Sequence, residues 1–179
     1  MADGTATAYD SLAEEGVPTT LIAKRIVPFA TINSTNAYAL ENGEEGLVVV
    51  ADQQTAGRGR QGRSWHSAPG AGIWFTVCFD GLVQGLTFAS ALAVQEALLP
   101  RCATKVKWPN DILLGGRKIC GILVEHKNGR TALGIGLNVH QRVEDFPEEL
   151  REKAGSLESI TGEKWDRCAV LRDILIALD

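Results

Sequence analysis

Compact apolar runs bounded by turn residues alternate along this chain with stretches of helical spacing. Residues 46–52 and 72–79, rich in valine and aromatics, predict buried strands. Residues 24–32 predict an earlier strand, which Pro28 confines to a sheet edge or an irregularity. Residues 104–107 and 111–114 read as short strands separated by Pro109. Gly115-Gly116 is a two-residue hairpin signal leading into a strand over 118–126, and Asn128-Gly129 is a second turn before a strand over 131–139. Within that last strand Gly134 and Gly136 lack side chains, which marks a place where a ligand or another backbone comes close.

Helical signals fall between these strands. Ser34-Thr35-Asn36 precedes the helix formers 37–41, and Gly43 follows, so a short capped helix is expected there. Leu86, Phe88, Ala89, Leu92, Ala93, Ala97 and Leu98 recur at helical spacing and predict a core-facing helix over 86–99, ended by Pro100. A short helix is expected at 11–15, helical pieces within the turn-rich 146–160, and a final amphipathic helix over 165–178. The small, polar residues through about Asp10 are expected to be poorly ordered. The whole predicts an α+β fold: a mixed, mostly antiparallel sheet with helices packed on it.

Composition narrows the function. A chain of 179 residues, 45% hydrophobic and 22% charged, suits one domain with a sizeable core. Its net charge of -4 argues against general affinity for nucleic acid, so phosphate chemistry must be local. Cys78, Cys102, Cys120 and Cys168 show no Cys-x-x-Cys spacing and no clustered histidines, which points to core thiols in a reducing cytoplasm rather than zinc or disulfides. His66, His126 and His140 stand in no metal spacing, so no direct metal cluster is expected. A signal-peptide pattern and an uninterrupted membrane-length apolar segment are both missing from the sequence, and a cytoplasmic protein without membrane partners is expected.

The segment Gly57-Arg58-Gly59-Arg60-Gln61-Gly62-Arg63 places three guanidinium groups on a backbone loosened by three glycines. Arginine matches carboxylate and phosphate oxygens two at a time, and glycine lets main-chain N–H groups approach an anion. Arg-Gly runs also occur in disordered nucleic-acid-binding arms, but the apolar strands on either side make this one a long loop inside a folded domain. A second constellation is Lys107-Trp108-Pro109-Asn110-Asp111, where Lys107 is either an exposed strand lysine or a compact positive charge bridging a carboxylate and a phosphate.

In order and spacing, Gly-Arg-Gly-Arg-x-Gly-Arg-x-Trp, Lys-Trp-Pro-Asn-Asp, the run from Arg117 to Glu125 and Gly134-Ile135-Gly136-Leu137-Asn138-Val139 strongly resemble the catalytic domain of biotin–protein ligases. The resemblance runs from about Ile26 to Val139 and implies the class II synthetase-like fold of biotin and lipoate ligases. It implies ATP-dependent activation of biotin to biotinyl-5'-adenylate, with Mg²⁺, followed by transfer to one lysine of a biotin carrier domain.

Carried over residue by residue, the resemblance places Ser34, Thr35, Asn36 and Gln54 around the biotin ureido ring, and Arg58, Gly59 and Arg60 in the loop that closes on biotin and its adenylate. Gly62 and Arg63 face phosphate, while Lys107 sits near the biotin carboxylate and α-phosphate, forming with Arg60 the catalytic pair. Asn138 lies near the adenylate, and Gly121, Gly134 and Gly136 allow close backbone approach to biotin or nucleotide. Trp65 and Trp108 either stack on ligand or fill core, Asn110 either touches nucleotide or makes a turn, and Asp111 either orients Lys107 or caps that turn.

Repressor-type relatives carry a winged helix-turn-helix before the ligase domain. Few residues precede the strand expected at Lys24, so the type without that DNA-binding domain is implied. The small β-rich C-terminal domain of relatives is expected to be absent from a chain ending at Asp179. Monomer and homodimer both stay open. The rivals are a lipoate–protein ligase and a non-catalytic biotin-binding module.

Overall fold

The computed structural model describes residues 5–179, so the first four residues of the expected disordered lead lie outside it. Its centre is a seven-stranded sheet in the order β1-β2-β3-β7-β6-β5-β4. The strands are β1 (Arg25–Ile32), β2 (Leu47–Gln54), β3 (Gly72–Asp80), β4 (Lys105–Lys107), β5 (Asp111–Leu114), β6 (Arg117–Lys127) and β7 (Arg130–Asn138). Only β1 and β2 run parallel; every other pair is antiparallel, in keeping with the α+β expectation. Pro28 lies in edge strand β1, where a missing N–H breaks no ladder in the sheet interior.

The helices are α1 (Asp10–Glu15), α2 (Thr35–Asn42), α3 (Leu86–Leu98), α4 (Leu157–Thr161) and α5 (Arg167–Leu178). They divide the sheet into two faces. α1, α3 and α5 cover one face, where Val48 and Val50 of β2, Ile73, Phe75 and Val77 of β3, and Leu133, Ile135 and Leu137 of β7 form the larger core. α2 covers part of the other, against Leu47, Val49, Ala51 and Cys78. With both faces buried, β2 cannot alternate apolar and polar residues, hence its unbroken valine run.

The hairpin signals hold: Gly115 and Gly116 have φ of +56° and +80°, and Asn128 and Gly129 have +53° and +74°, the left-handed pair that matches strand twist. Two expectations fail. Phe88 and Leu92 of α3 point outward, because α3 lies on the sheet and α5 along the small stripe Ser90, Ala91, Val94 and Leu98. Tyr9, expected in a disordered lead, is fully buried; its hydroxyl donates to the Gly72 carbonyl, while Arg167 bonds both Tyr9 and Asp52.

Candidate active site

A cavity opens on the sheet face that carries α2, beside the helix N-terminus. Ser34 caps α2, its Oγ accepting from the Ala37 N–H at 3.4 Å. The Thr35 N–H and hydroxyl both donate to Gln54 Oε1, at 2.9 and 3.1 Å, and Gln54 Nε2 donates to Ser67 Oγ at 3.1 Å. Thr76 on β3 donates to Asn36 Oδ1 at 2.6 Å, which turns Asn36 Nδ2 towards the Glu125 carboxylate at 2.8 Å. The floor is thus a chain of hydroxyls and amides held in fixed orientations.

Gly134 and Gly136 line the cavity, and packing within the site gives each a reason to lack a side chain. A Cβ on Gly134 would overlap the Asn36 amide, and one on Gly136 would lie 2.5 Å from Trp65 Nε1. One on Gly121 would come within 2.8 Å of the same indole. The glycines of β6 and β7, which line the cavity, therefore also make room for two side chains of the site, Asn36 and Trp65. Trp65 meets Trp74 edge-on at 6.2 Å between ring centroids, and its buried Nε1 has no hydrogen-bond partner among the described residues.

The arginine segment is an ordered flap. Arg58 and Ser64 form an antiparallel bridge, Gly59 N–H donates to the Arg63 carbonyl at 2.7 Å, and a single 3-10 turn spans Arg60–Gly62. It reaches across to β6 and to the turn before β5: Arg58 pairs with Glu125 at 3.1 Å, and Arg60 donates to Asn110 Oδ1 at 3.0 Å. Asn110 in turn donates to the Ile122 carbonyl at 3.1 Å. The flap leaves a cavity of about 50 Å³, room for a few waters.

The lysine in the cavity is Lys118, not Lys107. Strict alternation from Gly121, which faces the site, would turn Lys118 into the core on the opposite face. The register between β5 and β6 shifts at Ile112/Leu113, so that Ile112 pairs with Cys120 and Leu113 with Lys118. This bulge gives β6 one extra residue, Ile119, which is buried in the core, and swings Lys118 to the site face. There its ammonium bonds Asp111 at 2.7 Å and lies 5.2 Å from the Trp65 ring centroid. Lys107 is exposed on edge strand β4, in register with Asp111 but outside the cavity lining, and Asp111 orients Lys118 instead.

Ser34, Thr35, Asn36, Gln54, Arg58, Gly59, Arg60, Trp65, Asn110, Gly121, Gly134 and Gly136 all come together at this cavity. Gly62 and Arg63 stand outside its lining, with Arg63 exposed at the flap tip. Asn138 is buried, donating to the Gly155 carbonyl and accepting from Gln141, so its amide is spent on holding the segment that runs beside Lys118. Trp108 fills no core; it is 82% exposed. Sequence reading missed Lys118, Glu125 and Thr76. Glu125 alternates with Gly121 on β6, a signal that was available; the bulge that redirects Lys118 left none.

Among the described residues no group of three or more His, Cys, Asp or Glu side chains is arranged to hold a metal ion. No helix among them is long and apolar enough to cross a membrane.

Residues 28–141 match the profile of the Biotin/lipoate A/B protein ligase family. The chain is 40% identical over 180 residues to the bifunctional ligase/repressor BirA of Bacillus spizizenii, covering 92% of this chain and 55% of that protein. It is 37% identical over 166 residues to the biotin–acetyl-CoA-carboxylase ligase of Mycobacterium tuberculosis, covering 84% of this chain and 61% of the relative. The chain therefore spans between half and two thirds of the length of these relatives. The solved biotin protein ligase of Aquifex aeolicus in complex with biotin and ATP superposes with a TM-score of 0.78 at 37% identity, covering 87% of this chain and 68% of that one. With motifs, sheet topology and cavity in agreement, the chain belongs to the biotin/lipoate A/B protein ligase family.

Proposed function

We propose that this chain activates biotin with ATP and transfers it to a lysine of a biotin carrier domain. One observation carries this: Arg58 and Arg60 of the flap and Lys118 of β6 converge on a cavity whose floor is a fixed chain of amides and hydroxyls. The ureido ring of biotin has two N–H donors and one carbonyl, which Ser34, Thr35, Asn36 and Gln54 can match. The dithiolane ring of lipoate has no such groups and would make no use of the hydrogen-bonding atoms of this polar floor. The similar solved ligase bound to biotin and ATP points the same way.

In the first step the biotin carboxylate attacks the α-phosphorus of ATP and pyrophosphate leaves. Two anions must be brought together, and Lys118 is held where it can offset their repulsion and the charge growing at phosphorus. Arg58 and Arg60 exchange their present partners, Glu125 and Asn110, for substrate oxygens once the flap has lifted to admit ligand and settled over it, with Gly62 and Arg63 contacting the outer phosphates. Trp65, lying across Gly121 and Gly136, shields the mixed anhydride from water, and its indole N–H is free to donate to an acceptor of the adenylate. Mg²⁺ fits as an ion carried on the ATP phosphates, since Asp111 is engaged by Lys118 and, among the described residues, no cluster of three acidic, histidine or cysteine side chains is arranged to hold it. In the second step the ε-amine of the carrier lysine attacks the acyl carbon and AMP leaves. The reaction belongs in the cytoplasm, where ATP and reduced thiols coexist.

Incubating this chain with biotin, MgATP and a biotin carrier domain should add one biotinyl group to the carrier, read by mass spectrometry. Pyrophosphate release that needs both biotin and ATP separates a ligase from a binding module. A thermal-shift competition in which lipoate stabilises the chain and biotin does not would reverse the choice of substrate.

A further inference from the structure

Transfer requires a folded protein domain to bring a lysine to the cavity mouth, and the sheet edge beside that mouth has two features that catalysis within the cavity does not use. Trp108, between β4 and β5, is 82% exposed. It stands two residues before Asn110, which lines the cavity and holds Arg60. Tryptophan is enriched at the energetic centres of protein interfaces.

Lys105 and Lys107 flank the same point. Lys107 pairs with Asp111, which pairs with Gly121; Lys105 pairs with Leu113, which pairs with Lys118. Directly paired residues share a sheet face, so both lysines project on the face that carries the cavity. Among the described residues neither lysine has an ion-pair partner. Lys107 pairs with Asp111, next to the Asn110 that binds Arg60, so positive charge gathers here on a chain whose net charge is -4.

We propose that Trp108, Lys105 and Lys107 are the docking surface for the acceptor domain, a folded protein with an acidic surface around its target lysine. This rests on the ligase function above and specifies its protein partner's footprint. A nucleotide is a poorer occupant: its reacting phosphate belongs beside Lys118, inside the cavity, whereas Lys105 lies on the outermost strand and Trp108 points away from the fold. The acceptor must cover the mouth to insert its lysine, so a contact continuous with Asn110 and Arg60 is where it has to sit. The tryptophan supplies buried area and the lysines steer the encounter.

The test measures binding apart from chemistry. An unmodified biotin carrier domain is titrated by calorimetry into this chain and into Trp108→Ala and Lys105→Glu, at low and high salt, and pyrophosphate release is measured for each. Trp108→Ala should weaken carrier binding about tenfold or more. Lys105→Glu should weaken it and flatten its salt dependence. Both variants should release pyrophosphate within about twofold of the unsubstituted rate, since neither side chain lines the cavity. Unchanged carrier affinity in Trp108→Ala overturns the proposal, as does a raised KM for ATP in pyrophosphate release, which would give Trp108 to the nucleotide. If the unsubstituted chain releases no pyrophosphate yet binds the carrier through Trp108, the catalytic proposal fails and the docking surface stands.

Discussion

Replacing Lys118 by methionine keeps most of the unbranched stem and removes the ammonium and its charge. The ammonium lies 2.7 Å from an Asp111 oxygen and 5.2 Å from the Trp65 centroid, so two fixed groups hold its position. A unit charge about 4 Å from an anion contributes about 4 kcal/mol at an effective dielectric of about 20. Removing one preorganised electrostatic donor from a reacting centre costs roughly 10²–10³ in turnover, which agrees with the top of that range. Methionine also leaves the Asp111 carboxylate facing substrate anions unneutralised, which adds repulsion. Biotin-dependent pyrophosphate release at saturating biotin and ATP should therefore fall about 10³-fold. Adding Asp111→Asn to Lys118→Met removes the repulsion and should recover about tenfold, a coupling expected of side chains in direct contact. The pair is partly exposed, so the melting temperature should change little, with a stability cost of about 1 kcal/mol or less. A Lys118→Met enzyme releasing pyrophosphate at more than a tenth of the unsubstituted rate would refute the assignment of Lys118 to the reacting anions.

Gly136→Ala would put a methyl group 2.5 Å from Trp65 Nε1, forcing the indole out of its seat at a cost of about 1–3 kcal/mol. Biotin affinity should fall about 10- to 100-fold by calorimetry with the fold retained, and unaltered affinity would mean that the indole does not lie across β7. Glu125→Gln weakens the contact that holds Arg58 and should speed amide exchange across residues 57–63 of the ligand-free chain by about two- to fivefold; unchanged protection would show that Glu125 does not clasp the flap. Burial pushes the Cys120 thiol from an ordinary value of 9.0 up to about 12, a change that nearby Lys118 partly opposes and Asp111 reinforces. The folded chain then keeps a proton that the unfolded chain loses above pH 9, so stability should fall between about pH 9 and 12. Cys120→Ala should make the fall in urea-unfolding free energy shallower by up to one proton, and an identical slope would refute this.

Much of the architecture was legible because it follows from local pattern. Strands β2 and β3, the two hairpin turns and the cap at Ser34 are written in neighbouring residues whose backbone and burial preferences agree. The cavity's composition was legible as well, since Arg58, Arg60, Asn110, Gln54 and the residues of α2 sit in motifs read directly from the sequence. Where helical spacing alone was used, it misplaced Phe88 and Leu92: both belong to an apolar face, but the neighbouring helix α5 decides which face of α3 is buried. Tyr9 was lost among small polar neighbours, and its partners Asp52, Gly72 and Arg167 lie far along the chain.

Which lysine faces the cavity could not be read in one dimension. Lys107 and Lys118 both stand in apolar strands near glycine and proline, and local pattern favours Lys107. One extra residue in β6 reverses the facing of everything before it, and that residue is visible only when β5 and β6 are paired. The sequence by itself determined the family, the strand order of apolar segments and the supply of cations. Tertiary structure decided which cation faces the cavity, that Gly121, Gly134 and Gly136 make room for Asn36 and Trp65, and that Trp108 faces solvent, because register and long-range packing, not local propensity, set the direction of a side chain.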